Sequence, residues 1–199
     1  RLIGPAFTGG RISTIAVHPK NHALWYIGAA SGGLWKTENG GATFSPIFDR
    51  YGSYSIGAVT LDPKDPDVIW VGTSGGLVRY DTKRDDYKLY DAQSGLLSNG
   101  VFLVGKLGDR IAVGTYGGGL ALLDAKTEQW ETYNVPEGLG DAFVYDLLKT
   151  KNGDVWIATW SGVNPTTGGD LTHRNTRSLH TAAPTNSGLP NDWVYGLAE

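Results

Sequence analysis

The sequence predicts an all-β fold, a β-propeller with four complete four-stranded blades plus the first strand of a fifth. Three observations lead there. One short phrase recurs four times, as Trp25 to Leu34, Trp70 to Leu77, Ala112 to Leu120 and Trp156 to Val163. The aliphatic residue that closes each copy falls at 34, 77, 120 and 163, a constant step of 43 residues. Self-similarity at such a step marks a repeat architecture. The composition agrees: 29 glycines and 11% aromatic residues, against only 19% charged, in a chain of 199. That mix suits short strands and tight turns and is the reverse of a disordered chain. Finally, apolar runs alternate with turn residues at the spacing of all-β folds, and no helical periodicity appears. Four antiparallel strands per 43 residues is the size of a propeller blade.

The elements follow in order within each unit. The first strand is apolar and alternating, as in Ile12–Val17, Ile56–Leu61, Val101–Val104 and Val144–Leu147. A turn follows, at His18-Pro-Lys-Asn21, Asp62 to Asp67, Gly108-Asp109 or Lys151 to Asp154. Proline presets φ, glycine supplies positive φ, and Asn or Asp bonds its own backbone. The second strand is the Trp/Ile/Val run, and a Gly-rich reversal leads to a third such as Leu34–Lys36 or Leu120–Leu123. A fourth, aromatic-spaced segment closes the unit at Tyr87–Tyr90, Trp130–Tyr133 and Arg177–His180. The blades are expected at about 11–54, 55–99, 100–142 and 143–192 of a single domain, 1–199. Val194-Tyr-Gly-Leu197 copies Val144-Tyr-Asp-Leu147 and reads as the first strand of a partial fifth blade, 193–199, with 1–7 available as an outer strand. Asn164 to Gly188 holds few apolar residues and is expected to be irregular.

Composition excludes several functions. The net charge of −3, without blocks of like charge, argues against a nucleic acid partner. No apolar run reaches the 18 or so residues of a membrane span. With no cysteine there is no disulfide framework and no thiolate metal site, and the four histidines lack metal spacing. The Gly-rich phrases precede no helix, so they do not form a phosphate loop. No Gly-x-Ser-x-Gly elbow occurs. Asp62, Asp65 and Asp67 are close enough to suggest calcium, but interleaved prolines make an ordinary turn the better reading. No metal and no cofactor is expected.

Two resemblances can be placed on particular residues. Leu2 to Phe7 together with Ser31-Gly-Gly-Leu-Trp-Lys-Thr-Glu-Asn-Gly-Gly-Ala-Thr-Phe44 resembles the Asp-box, or bacterial neuraminidase repeat, propellers, which include sortilin-like and xyloglucanase-like proteins. The box maps onto Thr37, Asn39, Gly41, Thr43 and Phe44, where Ser, Asp and Trp of the pattern are replaced. In that family the box is a structural turn. From Gly72 onward the chain resembles the two-component-regulator propeller repeats, through Gly72–Leu77 with Asp81, Gly114–Leu120 with Asp124, and Gly188–Tyr195. The change of character near residues 70–77 suggests a chimera, natural or engineered. The resemblance favours a bacterial protein acting in the periplasm or outside the cell.

Candidate function rests on one face. Propeller topology puts the fourth-to-first and second-to-third connections together. Arg11, Tyr54, Asn99, Tyr116, Asp141, Trp160, Asp192 and Trp193 are the candidate ligand-binding residues there, since aromatic faces stack on a ligand while polar groups orient it. A sialidase would need an arginine cluster, and only Arg11 qualifies. A glycosidase would need two opposed carboxyl groups, for which Asp141 and Asp192 are the available pair. The expected function is non-enzymatic: a binding or sensing propeller that takes carbohydrate or peptide. The alternatives are a fragment of an Asp-box carbohydrate-active enzyme, or a propeller scaffold with no function of its own. Self-association through the incomplete fifth blade is also expected.

Overall fold

The computed structural model describes residues 10–51, 53–169, 171, 179–181, 189 and 191–199. These form four antiparallel sheets laid down in chain order. β1 (Ile12–Val17), β2 (Trp25–Ala29), β3 (Gly33–Thr37) and β4 (Ser45–Pro46) make the first. β5 (Ile56–Leu61), β6 (Val68–Thr73), β7 (Gly76–Asp81) and β8 (Asp86–Tyr90) make the second. β9 (Val101–Leu107), β10 (Arg110–Thr115), β11 (Leu120–Asp124) and β12 (Gln129–Tyr133) make the third. The fourth has β13 (Val144–Lys149), β14 (Val155–Thr159) and β15 (Gly162–Thr166), and a bridge from Val163 to His180 marks its outer strand. The blades of an all-β propeller are therefore present as the repeats predict. The proposed outer strand at 1–7 and most of 172–188 lie outside the described residues. No helix among the described residues is long and apolar enough to cross a membrane.

Core packing explains the period. Three clusters lie between successive sheets, because each sheet is apolar on both faces. Tyr26, Leu34 and Phe48 of the first blade meet Ile56, Val59 and Val71 of the second. Trp70, Leu77 and Tyr90 of the second meet Val101, Ile111 and Val113 of the third. Ala112, Leu120 and Leu122 of the third then meet Val144, Val155 and Ile157 of the fourth. Burying each large aliphatic side chain contributes about 1.5–3 kcal/mol, so the interfaces between successive blades hold them together.

Close approach between blades needs glycine at one repeated site. A Cβ on Gly28 would lie 2.6 Å from Ile56, on Gly72 2.6 Å from Val101, and on Gly114 2.8 Å from the Val144 carbonyl. The second strand of each of these blades thus sits against the first residue of the next inner strand. Ala158 occupies the corresponding place in the fourth blade and is fully buried. Beside it, the Val194 N–H donates to the Thr159 carbonyl at 3.4 Å, and the Leu197 N–H donates to Asp146 at 2.8 Å. The segment expected to start a fifth blade therefore lies beside the fourth, in loose contact rather than in a ladder.

The turns follow their chemistry. Buried Thr73, Thr115 and Thr159 each donate their hydroxyl across the reversal, to the carbonyls of Gly76, Gly119 and Gly162, all at 2.9 Å. This is the physical reason for the recurrent threonine that ends the second strand. In the Asp-box-like turn, Asn39 Oδ1 accepts from the Thr43 N–H at 2.9 Å and Thr37 Oγ1 accepts from the Gly41 N–H at 3.0 Å. In the acidic turn, Asp62 accepts from the Lys64 and Asp65 N–H groups and from Trp70 Nε1, while Asp65 accepts from the Asp67 N–H. Its carboxylates serve the turn backbone, the Trp70 indole and Lys83, and the described residues hold no group of three acidic or histidine side chains fit for a metal. One expectation is corrected. Residues 164–166 are not irregular but complete β15, because Asn164 and Thr166 satisfy themselves internally, accepting from the Gly140 N–H and donating to the Val155 carbonyl.

Candidate ligand-binding site at the axial mouth

Five inner segments surround one cavity of about 360 Å³. Its wall is contributed by the second position of each, namely Ser13, Gly57, Phe102, Tyr145 and Tyr195, with Ile12 and Arg11 at one side. The first position, Ile56, Val101 or Val144, is buried between blades. Strand alternation then turns the next side chain toward the axis. The wall is lopsided: blades one and two present Ser13 and Gly57, whereas the later segments present three aromatic rings. Ser13 is already committed, donating to the carbonyls of Gly28 at 3.0 Å and Ile56 at 2.7 Å.

The rings extend from the cavity across the adjoining loops. Phe102 packs on Tyr145 at 5.3 Å and on Tyr116 at 5.5 Å. Tyr116 meets Phe143 edge-on at 4.5 Å, and Phe143 lies 6.0 Å from Trp160. Trp160 and Trp193 are 4.0 Å apart, and Tyr195 lies 5.0 Å from Trp193 and 4.9 Å from Tyr145. Phe102, Tyr116, Trp160, Trp193 and Tyr195 are all exposed. Burial pushes the Tyr145 hydroxyl up, against a hydrogen bond from Trp193 that lowers it. A second hollow of about 280 Å³ adjoins, between Ser55, Ser74, Ser98, Val101, Phe102 and Tyr116.

Loop-to-loop hydrogen bonds hold this face. Tyr116 N–H donates to the Gly100 carbonyl at 2.8 Å, and Ser98 Oγ donates to the Tyr116 carbonyl at 2.6 Å. The Trp160 N–H donates to the Phe143 carbonyl at 3.1 Å. Each reversal is therefore tied to the loop that enters its own blade, and the rings stand on a fixed base.

The eight candidate residues divide clearly. Tyr116, Trp160 and Trp193 belong to the ring chain, and Arg11 lines the cavity. Asn99 and Asp141 serve the loops instead: Asn99 accepts from the Ala92 N–H at 2.9 Å, and Asp141 accepts from the Phe143 N–H at 2.9 Å and Ser161 Oγ at 2.6 Å. Tyr54 is exposed on the same face and accepts from the Gly33 N–H through its carbonyl at 3.0 Å, away from the axial wall. Asp192 is half-buried next to Trp193. Sequence reasoning missed Phe102, Phe143, Tyr145 and Tyr195. A signal existed in the pairs Val101-Phe102, Val144-Tyr145 and Val194-Tyr195, which repeat an aliphatic residue followed by a ring at the start of the inner strand.

Comparison with known proteins agrees with the fold. A family model described as Two component regulator propeller matches residues 138–161. The chain is similar in structure to the extracellular domain of BT3049 from B. thetaiotaomicron, described as a hybrid two component system, with TM-score 0.67 and 20% identity over 83% of this chain and 24% of that one. These are propeller repeats. An ancestral GH74 enzyme is similar at TM-score 0.62 and 18% identity, over 82% of this chain and 23% of the enzyme. The computationally designed Ika4 protein is similar at TM-score 0.57 and 15% identity, over 83% of this chain and 94% of Ika4. The chain thus spans about a quarter of the extracellular domain and of the enzyme, and nearly the whole of the designed protein. No curated protein matches it in sequence.

Proposed function

We propose that this chain is a ligand-binding propeller of sensor type, taking carbohydrate or peptide at the axial mouth. The observation that carries the reading is the continuous set of exposed rings running from the cavity wall to Trp160 and Trp193. A surface of that kind, with few convergent polar groups, is what small-ligand sites are built from. The similarity to a two component extracellular domain supports a sensing role. Titration with a glycan and peptide panel, followed by tryptophan fluorescence, tests it. Trp160→Ala and Tyr116→Ala are expected to weaken the ligand while leaving the fold intact. Unfolding of both variants would make these rings core and remove the site.

A specific observation also favours self-association. Ile12, Ile15 and Val17 of β1 are 58%, 54% and 44% exposed, whereas the corresponding Ile56, Val59 and Leu61 of β5 are at most 6% exposed. The first blade therefore shows bare the face that the second blade buries against its predecessor. A second copy, offering its 193–199 segment, covers that face in this reading. Light scattering decides: a dimer supports it, and a monomer near 21.3 kDa overturns it.

A further inference from the structure

Among the described residues, Arg11 is the one charged side chain on the wall of the axial cavity. Its position is set by local geometry. A Cβ on Gly10 would lie 2.9 Å from the Ser31 amide nitrogen, so the chain passes that close only as glycine. The Arg11 carbonyl then accepts from the Ala30 N–H at 2.8 Å, fixing where the side chain leaves the backbone. Among the described residues Arg11 takes part in none of the ion pairs, which join Lys36, Lys64, Lys83, Arg84, Lys88, Arg110 and Lys151 to acidic partners. Asp141 and Asp146 have other partners: Asp141 accepts from the Phe143 N–H and Ser161 Oγ, and Asp146 accepts from the N–H groups of Leu147 and Leu197.

We propose that the cavity takes an acidic sugar, a uronic acid, with its carboxylate on the Arg11 guanidinium and its ring against Tyr145 and Tyr195. This rests on the ligand-binding reading above and narrows it. Three considerations support the choice. A guanidinium is a planar fork that matches a carboxylate with two parallel hydrogen bonds. Ser13 and Gly57 line part of the wall and the aromatic rings of Phe102, Tyr145 and Tyr195 another part, which offers a sugar ring apolar surface. At about 360 Å³ the cavity also falls within the usual range for small-molecule sites.

The test is calorimetric titration of the full chain with tri-galacturonic acid, neutral galactotriose and an acidic tetrapeptide. The acidic sugar is expected to bind about tenfold tighter than the neutral one, a ratio equivalent to about 1.4 kcal/mol. That advantage should shrink when ionic strength rises from about 0.01 M to about 0.15 M, as the screening length falls from about 30 Å to about 8 Å. Arg11→Ala should abolish the advantage without moving the thermal midpoint, and Arg11→Lys should keep part of it. Equal affinity for the two sugars, or binding by the peptide alone, overturns this inference and leaves the ligand-binding reading standing. Binding of no probe overturns both.

Discussion

The outer rim and the axial mouth use the same residue types for opposite ends. At the rim, tyrosines and carboxylates are matched to each other. Asp85 Oδ1 accepts from the hydroxyls of Tyr80 at 2.6 Å and Tyr51 at 2.8 Å, and so ties the first blade to the second. One repeat later, Glu128 accepts from the Tyr90 hydroxyl at 3.1 Å and pairs with Lys88, tying the second blade to the third. Both carboxylates occupy the same turn position with positive φ, 54° for Asp85 and 59° for Glu128. Non-glycine residues rarely adopt that conformation, and such strain persists only where surrounding contacts hold it. At the mouth the rings are exposed and Arg11 is unmatched by any described carboxylate. A polar group next to an aromatic thus marks a clasp where its hydrogen bonds are met within the fold, and a candidate site where they are not.

The largest effect should come from two tryptophans that look alike in sequence. Trp70 is fully buried and its Nε1 donates to Asp62 at 2.8 Å, so Trp70→Ala should cost about 3–5 kcal/mol in urea unfolding. Trp160→Ala should cost less than about 1.5 kcal/mol, because it loses ring contacts at a surface rather than a core. Equal losses would erase the distinction between core and mouth. Next in size, Gly114→Ala should destabilise by about 1–3 kcal/mol, since its Cβ would meet the Val144 carbonyl at 2.8 Å and neither backbone can give freely.

The rim sharpens the comparison through pH. Hydrogen bonds from Tyr80 and Tyr51 hold the Asp85 carboxyl below its usual range, and Lys88 and Tyr90 do the same for Glu128. A carboxyl lowered by folding stabilises the fold above its unfolded value, about 4, and that contribution is lost as pH falls through the lowered one. Thermal midpoints should therefore drop on acidification below about pH 4, and Asp85→Asn with Glu128→Gln should flatten that limb. An unchanged limb would contradict the role of the clasps. On the alkaline side burial and Glu128 push Tyr90 up to about 12, so its contribution is present below about pH 10 and is lost as pH rises through about 12. Tyr90→Phe should reduce that alkaline loss by a small margin.

Much of the fold was legible because it is written in spacing. The recurrent threonine and the glycine at 28, 72 and 114 do one job per blade, so each repeats with the period. The candidate site was legible only in part. Tyr116 and Trp160 stood out because they interrupt Gly-rich reversals, where a large ring has no turn-forming role, and Trp193 because it sits in a connection on the same face. Tyr145 and Tyr195 were hidden inside strands read as core, although strand alternation sends one side chain of each pair toward the axis. The loop-anchoring bonds of Asn99 and Asp141 could not be read from residue type, since an amide or carboxylate that anchors a loop has the same letter as one that meets a ligand. Asn164 and Thr166 misled in the opposite direction, being polar residues that complete a buried strand.

The measurement that tests the central claim most directly is a crystal structure of the chain soaked with tri-galacturonic acid. The account predicts the sugar in the axial cavity, on the rings of Tyr145 and Tyr195, with a carboxylate at Arg11. Sugar bound instead in the rim hollow of about 260 Å³ beside Arg50, Tyr51 and Asp85, with the axial cavity empty, would contradict it.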